Sequence, residues 1–321
     1  MAAKDQTTGA SPAPKAGRED WFAHMAQLGE DLGDFLPLGD QHWTLFVDAS
    51  PTLIVSFETV TEAMARPGQL PLAHGIAMAR GWSHLSILAE GETWWRDPAV
   101  WHYFDRLIDD AFFEDFDRVL FTGSGIGGYA ACAYSVAAPG ATVLAFAARA
   151  TMDPEQSGWD DRHPDARRLD FNSRYGYAPD MAEAAGQVFL VLDPYQKYDL
   201  AHAAQFHLPW VRRLPMRCAG ADPAALLAGM DALRPLIESA CEGTLTPESF
   251  ARLWRNRRES PAYLRQLLAR TDAAGQKLRA DTICRNVATR MDLPYFRRRV
   301  TQSVPPDAPP GPGAALTPTM P

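Results

Sequence analysis

"FTGSGIGGYAA", Phe121 to Ala131, follows the short apolar run "RVLF" and opens a segment of small and apolar residues with the look of a buried helix. A strand that turns straight into a helix through glycines admits two readings. Gly123-x-Gly125-x-x-Gly128 matches the glycine fingerprint of a dinucleotide-binding turn, where glycines let the backbone approach a pyrophosphate. The same stretch has the frame of a nucleophile elbow, Gly-x-Ser-x-Gly, with Gly123 and Gly127 in place and Gly125 where the elbow carries its serine.

Each reading makes demands further along the chain. A dinucleotide turn wants an acidic ribose contact at the end of the next strand, about twenty residues on. "TVLAFAARA" ends there with Ala147, Ala148 and Arg149, so only an NADP site with Arg149 on the 2′-phosphate and Gly123, Gly125 and Gly128 at the pyrophosphate is consistent. Such a domain also begins with its glycine turn, whereas several strand-like runs precede this one. The elbow falls naturally in mid-chain, with an acid at a later strand end and a histidine after that. "QVFLVLDPYQKYD" supplies Asp193 as the acid, but the loop after "RRLPMRC" reads Gly220, Ala221, Asp222 and holds no histidine. An active variant would have to use Ser124 as nucleophile, with Asp193 and His202 from "DLAHAAQFH". Ser124 sits beside the elbow's central position and is expected to face packing. His202 is expected on a helix face with Asp199 as its i, i+3 neighbour.

The runs "WTLFVD", "TLIVSFE", "HLSILA", "RVLF", "TVLAFAA", "QVFLVLD" and "WVRRLPMRC" show little internal alternation, as strands buried on both faces do. They predict an α/β domain with a doubly wound, mostly parallel sheet over residues 21–243. The Trp94, Trp95 and Trp101 cluster is expected to pack beneath a helix. After residue 244 the apolar spacing becomes helical, and Thr246 before Pro247 marks a helix start, so residues 244–300 read as a two- or three-helix appendage. Residues 1–20 and the proline-rich residues 301–321 read as disordered tails.

Composition excludes several classes. The four cysteines have neither zinc-ligand nor disulfide-framework spacing, so no metal site is expected and a reducing, cytoplasmic setting fits. No apolar run approaches the length of a membrane span. The net charge of −8 argues against bulk nucleic-acid binding, but the charge is uneven: residues 244–300 carry 13 Lys/Arg against 5 Asp/Glu. That basic segment is expected either to dock on its own acidic domain or to offer Arg255, Arg257, Arg258, Arg297, Arg298 and Arg299 to a protein or an anionic glycan.

"GSGIGGYAA", "TVLAFAARATMDP" and "LDPYQKYDLAHAA" together resemble the α/β-hydrolase superfamily over about residues 43–238. They are most similar to bacterial hydrolase-like proteins whose elbow reads Gly-Ser-Ser-x-Gly-Gly-Tyr-Ala-Ala. Some proteins of that kind are called phosphoadenosine-phosphosulfate reductases, a chemistry for which no cysteine here has the required C-G-x-H context. The resemblance places the nucleophile at Gly125, the acid at Asp193 and the histidine at Ala221 or Asp222. It therefore implies a degenerate elbow, a pseudoenzyme without cofactor that binds or scaffolds. Proteins with this elbow pattern are often found in surface-polysaccharide or glycosyl-transfer settings, so the resemblance also implies a role in envelope or glycan assembly.

Overall fold

A computed structural model describes residues 17–303. Its eight strands form one sheet: β1 (Asp34–Leu38), β2 (His42–Val47), β3 (Thr52–Thr59), β4 (Ser83–Ala89), β5 (Arg118–Ser124), β6 (Thr142–Phe146), β7 (Gln187–Leu192) and β8 (Val211–Pro215). They lie in the order β1-β2-β4-β3-β5-β6-β7-β8. β2 is antiparallel to β1 and β4, and every pairing from β4 through β8 is parallel. Seven of these strands coincide with the apolar runs of the sequence. β1, "DFLPL", does not stand out because it is an edge strand: it contains Pro37, leaves Leu36 exposed and needs only one neighbour.

The pleat sorts the core onto two faces. Leu53, Val55 and Phe57 of β3, Val143 and Ala145 of β6, and Val188, Leu190 and Leu192 of β7 face one apolar cluster. Ile54, Leu144, Phe146, Phe189 and Val191, alternating with them, face the other. On the first face lie the helices Pro98–Asp109 and Ile126–Tyr134, with Trp94 and Trp95 fully buried beside them as expected. On the second lie the helices Leu72–Arg80 and Leu233–Cys241. A fold with helices on both faces and this strand order is of α/β-hydrolase type.

The ends differ from the sequence reading. A helix begins at Arg18 and runs to Leu32, seating Trp21 and Met25 against Leu45, Val60 and Leu88. Residues 18–20 therefore belong to the fold and not to a tail, while residues 1–16 and 304–321 lie outside the described residues. The basic segment holds four α-helices where two or three were expected: Pro247–Leu253, Pro261–Ala273, Lys277–Arg290 and Pro294–Ser303. The first starts as read, with the Thr246 side chain accepting from the Ser249 amide and Pro247 in the first turn. Phe250, Trp254, Leu264, Leu268, Val287 and Phe296 join the same apolar cluster as Ile54, Leu120 and Leu144, so these helices complete one face of the sheet.

Charge does little of that docking. Arg290, Arg297 and Arg299 pair with Glu259, Asp292 and Asp272, acids of the basic segment itself. Arg257 lies over the Trp254 ring. Across to the α/β part, Arg270 covers the ring of Tyr195 at 3.5 Å. No described helix is long and apolar enough to cross a membrane.

A chain ending at Gly243 should aggregate, or melt roughly 10 °C lower or more, because it uncovers the apolar face now sealed by Phe250, Trp254 and Leu268; size-exclusion chromatography and thermal unfolding read this directly. Gly127→Ala would put a Cβ 2.2 Å from the Phe57 carbonyl oxygen, and should cost on the order of 4 kcal/mol or prevent folding. Gly75→Ala, on the helix Leu72–Arg80 with nothing within 4 Å, should stabilise by about 0.5–1 kcal/mol; urea titrations of both variants measure these changes.

Candidate functional site

The glycine turn joins β5 to the helix Ile126–Tyr134, hereafter the elbow helix, at the centre of the sheet. Gly125 has φ 59° and ψ −113°, a conformation that residues with a side chain rarely adopt. Its amide donates to the Phe146 carbonyl at 2.8 Å. Gly123 and Gly127 are there for space: a Cβ on Gly123 would lie 2.2 Å from the Gly127 oxygen, and one on Gly127 equally close to the Phe57 oxygen. These are the requirements of an elbow wedged between strands. The rest of the motif is structural as well, since Tyr129, fully buried, donates its hydroxyl to the carbonyls of Tyr175 and Gly176.

Ser124 remains part of the ladder, paired with Phe146. The pleat places it on the side of Leu120 and Thr122, away from the elbow helix. Asp193 stands just past the end of β7, two strand spacings (~10 Å) from the elbow strand. Its buried carboxylate accepts from three backbone amides: Tyr195 at 3.0 Å, Cys218 at 3.2 Å and Gly220 at 2.9 Å. It thereby holds the Cys218–Gly220 loop against the end of β7. Asp222 caps the helix Pro223–Ala228 through the Ala225 amide, and Gln266 of the helix Pro261–Ala273 lies against Gly220.

His202 belongs to a different network. Its Nδ1 accepts from the Ala150 amide at 3.2 Å, which leaves Nε2 to donate to Asp160 at 3.0 Å. Asp160 also receives Arg162, which reaches on to Asp199 at 2.6 Å, and Trp159 lies over the imidazole. The Asp199–His202 pair expected from sequence is thus replaced by Asp160–His202 and Arg162–Asp199. Ser124, Asp193 and His202 are not assembled as a triad: each imidazole nitrogen has a partner elsewhere. Burial, only partly opposed by Asp160, pushes the His202 pKa down to about 4. Asp160 is itself held below the ordinary carboxylate range: burial acts against this, and the hydrogen bonds from Arg162 and His202 outweigh it.

Arg149, which the dinucleotide reading assigned to a 2′-phosphate, sits instead against the elbow. A Cβ built on Gly125 would meet the Arg149 Nη1 at 3.4 Å. The side chain is 9% exposed, its Nη1 donates to the Ala147 carbonyl at 2.6 Å, and its Nε is buried without a partner. Ala147, at the end of β6, holds a positive φ of 45°. Sequence reasoning placed Arg149 near the turn but missed this contact. The glycine turn also follows the fifth strand of a hydrolase-type sheet, an arrangement unlike the dinucleotide fold, in which it follows the first.

Elsewhere, a cavity of about 550 Å³ opens at the opposite end of β5 and β6, bordered by Phe113, Arg118, Ala138, Thr142 and Cys241. It is remote from the elbow and holds none of the expected site residues. Among the described residues no group of His, Cys, Asp and Glu could hold a metal ion, and all four cysteines are free.

No family model matches the chain, and no curated protein matches its sequence. Solved structures resemble it in fold. They include a hormone-sensitive lipase from a metagenome library, at TM-score 0.43 and 14% identity over 72% of this chain and 93% of that one. A thermostable esterase from Pseudomonas putida matches at TM-score 0.42 and 12% identity, over 74% and 93%. Carboxyl esterase 2 from the fungus Tuber melanosporum matches at 0.40 and 11%, over 66% and 84%. Likenesses this distant carry nothing about activity, and the fold class stands on the strand order and the elbow geometry.

The buried histidines set an acid limit on stability. His202 and His42 are pushed down to about 4 and His84 to about 3, burial being the main cause in each. Between the unfolded value near 6.5 and these folded values, the unfolded chain binds protons that the native one refuses, so stability is complete above pH 6.5 and falls as the pH drops toward 4. His202 alone should account for on the order of 3 kcal/mol of that loss. Urea titrations at pH 7 and 4.5 check this, with His202→Gln expected to show the shallower pH dependence.

Proposed function

We propose that this chain is a catalytically degenerate α/β-hydrolase-like protein that binds or scaffolds and does not cleave. The observation that carries this reading is the elbow itself, where glycine occupies the nucleophile position and the Arg149 guanidinium lies against it. Without a hydroxyl at Gly125, no acyl group can be transferred to the elbow. Without an imidazole at Ala221 or Asp222, nothing would activate a hydroxyl placed there. Asp193, spending its carboxylate on three amides, supports the same conclusion.

The setting we infer, from the resemblance of the elbow sequence, is surface-polysaccharide or glycan assembly in the cytoplasm of a bacterium. The exposed Arg255, Arg258 and Arg298 are the groups we assign to an acidic partner, a protein or an anionic glycan.

A fluorophosphonate probe tests the reading. The full chain should remain unlabelled, and Gly125→Ser should show esterase turnover no higher than background while losing about 1–3 kcal/mol of stability to backbone strain. Stoichiometric labelling of the natural chain, abolished by Ser124→Ala, would overturn it in favour of an active hydrolase using Ser124, Asp193 and His202.

A further inference from the structure

Two aromatic rings stand open to water on the segments that follow β6 and β7. Trp159, on the excursion between these strands, keeps 41% of its surface exposed, and Tyr195, in the loop after β7, keeps 47%. Trp159 is the only exposed tryptophan among the described residues. Its indole N–H already donates to the Gln156 carbonyl, so what it presents to water is ring. Half-buried Tyr198 lies beside it, the two rings 6.0 Å apart and within 23° of parallel. Beneath them the imidazole of His202 is held by Ala150 and Asp160, which gives this aromatic platform a fixed base. Large aromatic side chains left open in this way mark surfaces that meet a partner.

Cations border the same rings. The Arg270 guanidinium lies 3.5 Å over Tyr195 and the Lys197 ammonium 4.2 Å over Tyr198. Arg270 follows Gln266 by one helical turn, and Gln266 lies against Gly220, so this helix meets the loop that carries Arg217 and Cys218. Burial and Asp193 push the Cys218 thiol up, and the charges of Arg270, Arg279 and Arg217 oppose them. Lys197, Arg217, Arg270 and Arg279 are all exposed, and none forms an ion pair among the described residues. The acids nearby are engaged elsewhere. Asp193 is buried on three amides, Asp160 and Asp199 hold Arg162, Asp222 caps its helix and Asp272 pairs with Arg299. A cation lying over a ring is still free to receive an anion at its N–H groups.

We propose that this surface binds an acidic glycan, a sugar chain bearing carboxylates, whose rings pack on Trp159 and Tyr195 while Lys197, Arg217, Arg270 and Arg279 receive its charge. A pyranose presents a flat face of C–H bonds that packs on an aromatic ring, and its carboxylates project from the ring edge, where the cations stand. A protein partner would anchor by burying side chains in pockets. Here the rings lie open and flat instead, which favours the glycan. The proposal rests on the binding reading given above. It names one partner class and a surface other than Arg255, Arg258 and Arg298. No bond is made or broken.

The test uses the full chain and three probes at equal ionic strength: polygalacturonate, neutral dextran and poly-glutamate. Acrylamide quenching of tryptophan fluorescence reads the occupation of Trp159, the other tryptophans being buried or half-buried. Polygalacturonate should shield it with half-saturation near about 1 mM sugar or tighter, weakening as salt is raised. It should bind at least about tenfold more tightly than poly-glutamate at equal charge, and dextran more weakly than either. In calorimetric titrations, Trp159→Ala and Tyr195→Ala should each weaken polygalacturonate binding by about tenfold, and Arg217→Gln combined with Arg270→Gln by a similar factor. No response to polygalacturonate would overturn the proposal. So would poly-glutamate binding as tightly, which would point to an acidic protein, or binding lost on replacing Arg255, Arg258 and Arg298 but kept in the aromatic variants. Should Trp159→Ala fail to fold, Tyr195→Ala, in an open loop, still decides. Fluorophosphonate labelling is independent of all this: an unlabelled chain with no glycan response keeps the degenerate reading and discards the surface, whereas labelling at Ser124 discards the reading itself.

Discussion

The backbone of the elbow helix approaches β3 so closely that no side-chain carbon fits between Gly127 and the Phe57 carbonyl. That contact sets the position of the helix over the sheet, since Gly123 beneath it leaves equally little room and Gly128 sits close against Phe146 and Ala148. Once the helix is so placed, Tyr129 reaches the carbonyls of Tyr175 and Gly176, and Tyr134 reaches that of Trp95 at 2.6 Å. The long excursion between β6 and β7 and the tryptophan loop after β4 are thereby tied to one helix. The three glycines are a packing requirement of the sheet, which persists whether or not chemistry occurs at the turn.

Gly125 answers to a different constraint. Its demand is conformational, a positive φ with an unusual ψ, and not steric in the way of its neighbours, for a Cβ there would meet only the Arg149 guanidinium. Glycine relieves strain that a serine would store, on the order of 1–3 kcal/mol. A strained nucleophile is worth that cost only when the remaining catalytic groups are present. On the degenerate reading proposed for this elbow, with Ala221 and Asp222 following the loop whose backbone Asp193 holds, the strain would have no catalytic return.

How much of this was legible in the sequence depended on the range of the interaction. The strands β2 to β7 were visible because burial on both faces writes an almost uninterrupted apolar run into the chain, and Asp193 was placed by its position at the end of one. β1 and the helix Arg18–Leu32 were not, because an edge strand containing Pro37 and a mostly exposed helix bury too few residues to mark themselves. The partnership of His202 was misread for a related reason. Asp199 is three residues away and Asp160 is far off in the chain, on the excursion after β6, and only the fold brings that excursion over the helix Lys197–Ala204. The strand order itself, with β4 between β2 and β3, is a non-local property that no local pattern specifies.

The charge asymmetry shows the same limit. Counting charges suggested a basic segment held to an acidic domain by attraction, but the arginines Arg290, Arg297 and Arg299 satisfy themselves on neighbouring acids, and the segment is fixed by aromatic and aliphatic burial. Exposed ion pairs contribute little to docking, whereas each large apolar side chain removed from water contributes about 1.5–3 kcal/mol. One consequence reaches the candidate site. Because the helix Pro261–Ala273 is docked by Leu264 and Leu268, its other residues are carried to fixed places: Gln266 comes to lie against Gly220 and Arg270 against Tyr195. The loops that flank Asp193 are thus held in place by the C-terminal helices, while Tyr195, Ala221 and Asp222 within them stay exposed to solvent.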